Sequence, residues 1–273
     1  MNSPPNHEAQ SLRLAIVGWG SIAQTVAKML EGDRVKIVAI AKRDWASSTP
    51  DGPETAATIT KPSELAQHRP DLVIEAAGRD SVGPWGHAAL EAGADFVVSS
   101  VSALAQPDLF ESLRCAAERT GRQLIVQPGA LGGIDALASA QAIGIDAVEH
   151  RIVKPPAAWR GSPAEHLCSL DHLDSPTIFF ASTAAEAATR FPQNANVAMT
   201  TALAGVGPDA TQIILVADPA ATKNRHEIKA HGAFGELHVT ISNNPLPDNP
   251  KTSAMAALNL ARIVTNRVST VVI

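Results

Sequence analysis

The sequence predicts an α/β protein: a doubly wound parallel sheet followed by a second α+β domain built on a mixed or antiparallel sheet. Three observations carry that expectation. A short apolar run, Leu14-Ala-Ile-Val17, is broken by Gly18, Gly20 and Ala23 directly before a helical pattern. Strand-like and helix-like segments then alternate to about residue 130. From about Ala147 the pattern changes to polar–apolar alternation of period two, which suits hairpins.

The first observation is the most informative. Leu12 to Ala23, LRLAIVGWGSIA, reads as a buried strand, a tight turn and a helix N-terminus. Gly18 allows the turn, and Gly20 lets the backbone approach a ligand without a Cβ in the way. Ala23 is small enough for close helix–strand packing, and Ser21 and Ile22 open the helix. Unpaired N–H groups and about half a positive charge at a helix start receive an anion. This arrangement marks a Rossmann-type unit that binds the pyrophosphate of NAD or NADP.

The elements follow in order. A helix spans Ile22 to Leu30, and Val35 to Ile40 is a second buried strand. Pro62-Ser-Glu-Leu-Ala opens a helix, and Asp71 to Ala76 is a strand. A helix covers Gly83 to Ala92, and Asp95 to Ser99 is the next strand. Pro107 to Arg119 is helical, and Gln123 to Gln127 closes the series. Such alternation means a parallel sheet with its ligand outside the carboxyl ends of the strands. The loops there are Gly18–Ser21, Ala41–Asp44, Ala77–Asp80, Ser100–Ala103 and Pro128–Gly133. In the second half, Val148 to Lys154, Thr211 to Ala217, His226 to His231 and Glu236 to Ser242 are strands, the last two joined at Gly232-Ala-Phe-Gly235. Thr252 to Arg267 is an apolar-faced helix. The expected division is a tail over 1–10, a dinucleotide-binding domain over 11–130 and a catalytic domain over 131–251. The segment 252–273 packs back on the first domain.

Bulk composition excludes several classes. At 273 residues, 45% apolar and 18% charged, the chain has enough material for a real core. A net charge of -5 offers no basic face to nucleic acid. Two cysteines, Cys115 and Cys168, make neither a disulfide framework nor a thiolate metal cluster. The start, MNSPPNHEAQS, lacks the apolar core of a signal peptide, and no apolar run reaches membrane-spanning length, so a cytoplasmic protein is expected. The chain has no tyrosine, which excludes dehydrogenases that use a Tyr–Lys pair as their acid.

Two stretches bear on the chemistry. The second strand ends Ile40-Ala-Lys-Arg-Asp44, with Lys42 and Arg43 where an acid would select NAD. These cations are either solvated loop charges or the seat of a 2′-phosphate, so NADP is accommodated as well as NAD. His166, Cys168 and His172 match no zinc spacing, and no metal is expected. In strand alternation His226 shares a face with Ile228 and Ala230, while Arg225, Glu227 and Lys229 point the other way. It is either a core histidine or one facing a cleft.

Beyond the glycine loop, Gln127-Pro-Gly-Ala-Leu-Gly-Gly-Ile-Asp135, Arg151-Ile-Val-Lys-Pro-Pro156, Phe191-Pro-Gln-Asn-Ala-Asn-Val-Ala198, the segment around His226, and Asn249-Pro-Lys-Thr-Ser253 occur in a specific order. In this combination the chain resembles the aspartate dehydrogenase family over nearly its whole length after the tail. The resemblance implies NAD(P)-dependent oxidation of L-aspartate to iminoaspartate, which yields oxaloacetate and ammonia. It also implies a supply of iminoaspartate for NAD biosynthesis, with aspartate catabolism equally compatible, and a second-domain sheet of this kind suits the interface of a homodimer. It makes His226 the catalytic acid/base and places Ala130 and Asn196 at the nicotinamide end. Ala130 is small and follows Pro128-Gly129 at a strand end. Asn196 offers a donor and an acceptor to a carboxamide, and also suits a helix cap before Val197. A dicarboxylate needs cations or helix N-termini. Lys154, and Lys251-Thr252-Ser253 at the start of the last helix, are the candidates, with Arg160 weaker. The competing functions are a dihydrodipicolinate-reductase-like enzyme and a nucleotide-sensing protein without turnover.

Overall fold

The strand–turn–helix expected at the N-terminus begins a parallel six-stranded sheet in the computed structural model, which describes residues 11–30, 32, 34–43, 53 and 56–273. The tail over 1–10 and Asp44 lie outside the described residues. By compactness the chain divides into two units. One holds the described residues up to Val97, Leu113–Ile125 and Ala261–Ile273; the other holds Val98–Ser112 and Val126–Leu260. The sequence predicts a first domain over 11–130 with 252–273 packed back on it; by compactness 98–112 and 126–130 group with the second unit instead, and 261–273 groups with the first.

The sheet of the first unit is built from β1 (Leu12–Val17), β2 (Val35–Ala41), β3 (Ala57–Ile59), β4 (Leu72–Glu75), β5 (Asp95–Val98) and β6 (Leu124–Val126), in the order β3-β2-β1-β4-β5-β6. The connecting helices are α1 (Ser21–Met29), α2 (Arg79–Glu91) and α3 (Pro107–Thr120). Leu14, Ile16, Ile40, Leu72, Ile74, Phe96 and Val97 are buried, as strands covered on both faces require. Strand order reverses beside β1, so the carboxyl ends of β1 and β4 frame the crevice of a doubly wound sheet. Three details differ from expectation. The sheet includes β3, a strand the sequence reading does not contain. The segment at Pro62 forms two 3₁₀ turns, Pro62–Glu64 and Ala66–His68, and α2 starts at Arg79 rather than Gly83.

In the second unit α4 (Ile134–Ala140) precedes β7 (Ile145–Lys154), and β8 (Thr177–Thr183) leads into α5 (Ala184–Arg190) and α6 (Ala195–Ala204). Then come β9 (Gln212–Ala217), β10 (Asn224–Gly232) and β11 (Gly235–Asn243). The five strands form a mixed sheet in the order β11-β10-β7-β9-β8, parallel only between β7 and β9. Alternation along β10 is as read: His226, Ile228 and Ala230 are buried and Lys229 is exposed. A short hairpin, β12 (Pro245–Leu246) with β13 (Asn249–Ser253), precedes α7 (Ala254–Asn266). Lys251, Thr252 and Ser253 therefore belong to a short strand that runs directly into the last helix, which starts at Ala254 rather than Thr252. Ser253 pairs with Pro245, and the first helical N–H, of Ala254, is taken by the Asn244 carbonyl at 2.9 Å. Tertiary strand pairing overrides the local helix-start pattern here.

Gly232, at the end of β10, sits against β7 so closely that a Cβ would lie 2.5 Å from the Gly144 carbonyl oxygen and 2.8 Å from Ile145 Cα. Backbone cannot yield as a side-chain tip does. Gly232→Ala should therefore lower stability by about 1–3 kcal/mol. Urea unfolding would show it as a lower midpoint at unchanged slope, and an unchanged midpoint would mean the strands are not clamped there.

Candidate active site

The first unit contributes a cleft of about 560 Å³ at the carboxyl ends of its strands. Its walls include Gly18, Trp19, Gly20, Lys42, Arg43, Gly78, Arg79 and Trp85. Gly18 has φ +91°, and a Cβ on it would sit 2.6 Å from the Ala76 carbonyl oxygen. Only glycine lets β1 turn this close to β4. Gly20 is different: a Cβ there would meet nothing within 4 Å. It would project into open space, so its absence leaves room for a ligand rather than for protein. Gly20 is also the N-cap of α1, with no side-chain cap bond and no acidic residue in the first turn. The positive end of the α1 dipole thus meets a glycine turn beside Lys42 and Arg43, a donor set that fits the phosphates of a dinucleotide. Ser21 and Ile22 lie in the first turn of α1, and Ala23 is fully buried.

The opposite wall depends on a residue that sequence reasoning missed. Glu75 is fully buried at the end of β4, and one carboxylate oxygen accepts from Ala77 N and Gly78 N at 2.8 Å and from the Ser81 hydroxyl at 3.0 Å. It shapes the loop at Gly78, whose φ is +137°. An acid ending an otherwise apolar strand was the available signal.

The second unit contributes a buried polar cluster. Antiparallel pairing of β10 with β7 sets His226 opposite Ile152 and Ile228 opposite His150. On that face the diagonal neighbours of His226 are His150 and Lys154. His226 is 3% exposed and His150 and Thr201 are fully buried. His226 Nδ1 lies 3.2 Å from His150 Nε2, and His150 Nδ1 lies 2.9 Å from Thr201 Oγ1. Burial pushes His150 down to about 3. Burial also holds His226 well below its usual range, with smaller contributions from the charges of His150 and Lys154. Both rings are therefore neutral at pH 7.

Lys154 is half-buried, donates to Asn194 Oδ1, and stands 4.9 Å from the centroid of the Trp159 ring. Loss of solvent lowers it from 10.5 to about 8, so it remains a cation at pH 7. The solvated charge considered for it is thus replaced by a cation among neutral groups. Arg160 instead pairs on the surface with Asp171. His150, Thr201 and Asn194 were not picked out in the sequence. The even spacing of Val148, His150, Ile152 and Lys154 was the signal for one shared face.

Two further expected residues lie where side-chain hydrogen bonds tie the backbone. Asn196 is in the first turn of α6, one residue inside the helix, so it is not the cap. Asn194 takes that position and spends its side chain on Lys154. Asn196 Oδ1 accepts from Ser102 N at 3.0 Å, which directs the amide NH₂ away from that contact. Ala130 is buried, and its carbonyl accepts from Asn243 Nδ2 at 2.9 Å. Asn259 Nδ2 clamps the carbonyls on either side, of Gly129 at 2.7 Å and Leu131 at 2.9 Å. The side chain of Lys251 is outside the described set. Thr252 and Ser253 directly precede the first residue of α7, Ala254. Among the described residues no group of three His, Cys, Asp or Glu side chains is placed to hold a metal.

Comparison with known proteins agrees with this layout. The family described as "Aspartate dehydrogenase, C-terminal" matches residues 135–267, and "Homoserine dehydrogenase, NAD binding domain" matches 18–127. A Brucella anthropi protein named L-aspartate dehydrogenase is 52% identical over 95% of this chain and 98% of its own. The chain belongs to the aspartate dehydrogenase family. Its NAD(P)-binding unit and mixed-sheet unit are those of an α/β dehydrogenase. The crystal structure of aspartate dehydrogenase from Thermotoga maritima shares the fold, with a TM-score of 0.79 and 22% identity over 96% of this chain and 99% of that one. Dihydrodipicolinate reductase from Paenisporosarcina sp. is similar in fold at a TM-score of 0.54, with 14% identity over 94% of each chain.

The depressed Lys154 makes a stability prediction. The folded protein holds this proton less tightly than the unfolded chain, so between about pH 8 and 10.5 the unfolded chain binds more protons. The cost of the buried charge is fully present below 8 and disappears as the pH rises through that window. Urea unfolding of wild type and Lys154→Met should show the difference moving in favour of wild type from pH 7.5 to 10.5. A constant difference would contradict a buried ammonium.

Proposed function

We propose that this protein is an L-aspartate dehydrogenase, oxidising L-aspartate to iminoaspartate with NAD or NADP and releasing oxaloacetate and ammonia. The observation that carries the reading is the diagonal placement of a neutral histidine, His226, and a half-buried cation, Lys154, on one face of the second sheet. A cationic anchor beside a neutral base suits an anionic substrate that must gain and lose protons.

The bound cofactor supplies a hydride acceptor, and the protein supplies position and proton handling. Gly18 and Gly20, with Ser21, Ile22 and Ala23 opening α1, hold the pyrophosphate. Lys42 and Arg43 accept a 2′-phosphate, which makes NADP a substrate beside NAD. Asn196 offers its amide NH₂ to the nicotinamide carboxamide, and Ala130 leaves room for the ring. Lys154 binds one substrate carboxylate, which favours its protonated form. His226 takes a proton from the water that adds to the imine carbon. Returning that proton to nitrogen lets the C–N bond break as the carbonyl forms. Lys251, Thr252 and Ser253, directly before α7, are the candidates for the second carboxylate.

The same reading makes the enzyme a cytoplasmic homodimer that binds neither nucleic acid nor membrane. Its support is the net charge of -5 and the lack, among the described residues, of a helix long and apolar enough to cross a membrane.

His226→Asn should lower kcat for aspartate by about 10²–10⁴-fold while NAD(P)H binding, followed by fluorescence titration, is retained. Near-wild-type turnover would sink the acid/base role. The double variant Lys42→Ala/Arg43→Ala should raise KM for NADP by about tenfold and change that for NAD far less, because only NADP carries the additional charged phosphate. Equal effects on both would remove the 2′-phosphate role.

A further inference from the structure

The buried cluster determines where the protons sit. Five atoms form a line: Val197 O, Thr201 Oγ1, His150 Nδ1, His150 Nε2 and His226 Nδ1. Three short contacts join them. Thr201 Oγ1 is 3.0 Å from the Val197 carbonyl oxygen, His150 Nδ1 is 2.9 Å from Thr201 Oγ1, and His150 Nε2 is 3.2 Å from His226 Nδ1. Each contact is attractive only with a proton between its heavy atoms.

The carbonyl of Val197 can only accept, so the single Thr201 hydroxyl proton points to it. Thr201 Oγ1 then has lone pairs alone to offer His150, so His150 Nδ1 carries a proton. His150 is fully buried and neutral, which leaves its Nε2 bare and able only to accept. His226 Nδ1 must therefore be the protonated nitrogen in the last contact. Turning the hydroxyl toward His150 would leave two oxygens facing each other at 3.0 Å without a proton. Among the neutral arrangements, one alone satisfies all three contacts.

We propose that Thr201 and His150 are positioning residues that lock His226 in its Nδ1–H tautomer and so present Nε2 as the proton-accepting atom. The inference rests on the acid/base reading of His226 and deepens it. The three residues come from α6, β7 and β10, so the tautomer is imposed by packing rather than by the local sequence of His226. When Nε2 takes a proton, the Nδ1–H bond to His150 persists, and the imidazolium stays hydrogen-bonded without a nearby carboxylate.

The direct test is a nitrogen-15 correlation spectrum of the imidazole rings of the full chain at neutral pH, with His226 assigned by loss of its signals in His226→Asn. The expected result is a protonated Nδ1 and a bare Nε2 on His226. A protonated Nε2 on the neutral ring would overturn the proposal with no need of any further variant.

Thr201→Val keeps the shape and removes the hydroxyl. It should shift His226 toward the Nε2–H tautomer and lower kcat for aspartate by about 10–100-fold, with KM for aspartate and NAD(P)H affinity within about twofold. Thr201→Ser should recover most of that loss. His150→Gln, whose amide oxygen can accept from His226 Nδ1, should fall between them. Unchanged tautomer and kcat in a folded Thr201→Val would refute the relay even if His226→Asn is inactive. An active His226→Asn would instead refute the acid/base reading itself.

Discussion

The register between β10 and β7 is the constraint on which the chemistry of the second unit depends. Pairing His226 with Ile152 brings His150 and Lys154 to its diagonals on one buried face. A slip of one residue would turn Arg225 or Glu227 inward and expose the histidine, because side chains alternate with a period of two. Apolar neighbours oppose such a slip. Val148, Ile228 and Ala230 pack with Leu131, Ile134 and Leu137 in one cluster, and polar replacements there would be buried without partners.

Burial does more than hold this face together. It removes water from two imidazoles and keeps both neutral, while leaving Lys154 charged below about pH 8. The ammonium is tolerated because Asn194 Oδ1 and the Trp159 ring replace part of its hydration. The result is one cation beside a chain of neutral hydrogen-bonded groups. In so dry a setting each of these interactions is stronger than it would be at the surface.

The first unit solves a different problem with backbone. Gly18 turns where a side chain would strike β4, and Gly20 leaves space where a side chain would strike only a ligand. Among its described residues the fully buried Glu75 is satisfied by two amides and a hydroxyl and shapes the facing loop. The N–H groups at that turn, the α1 dipole and the nearby Lys42 and Arg43 are a set suited to an anion.

Much of this was legible in the chain because it is local. Gly18, Gly20 and Ala23 mark their turn by size and spacing, strands and helices by period, and the buried face of β10 by alternation from His226 to Ala230. The last helix begins at Ala254 rather than Thr252, since a helix-start pattern says nothing of the strand at Pro245 with which Ser253 pairs. Asn196 suits a helix cap by sequence but lies inside the first turn of α6, because that helix begins at Ala195. The partners of His226 were not legible at all. His150 is 76 residues away and Thr201 lies 51 residues beyond His150. Sequence alone determined the α/β dinucleotide-binding fold class and singled out His226 and Lys154 as candidates for its chemistry. Only the tertiary structure decided their protonation and their neighbours, because burial and strand register are properties of the packed sheet and not of any one segment.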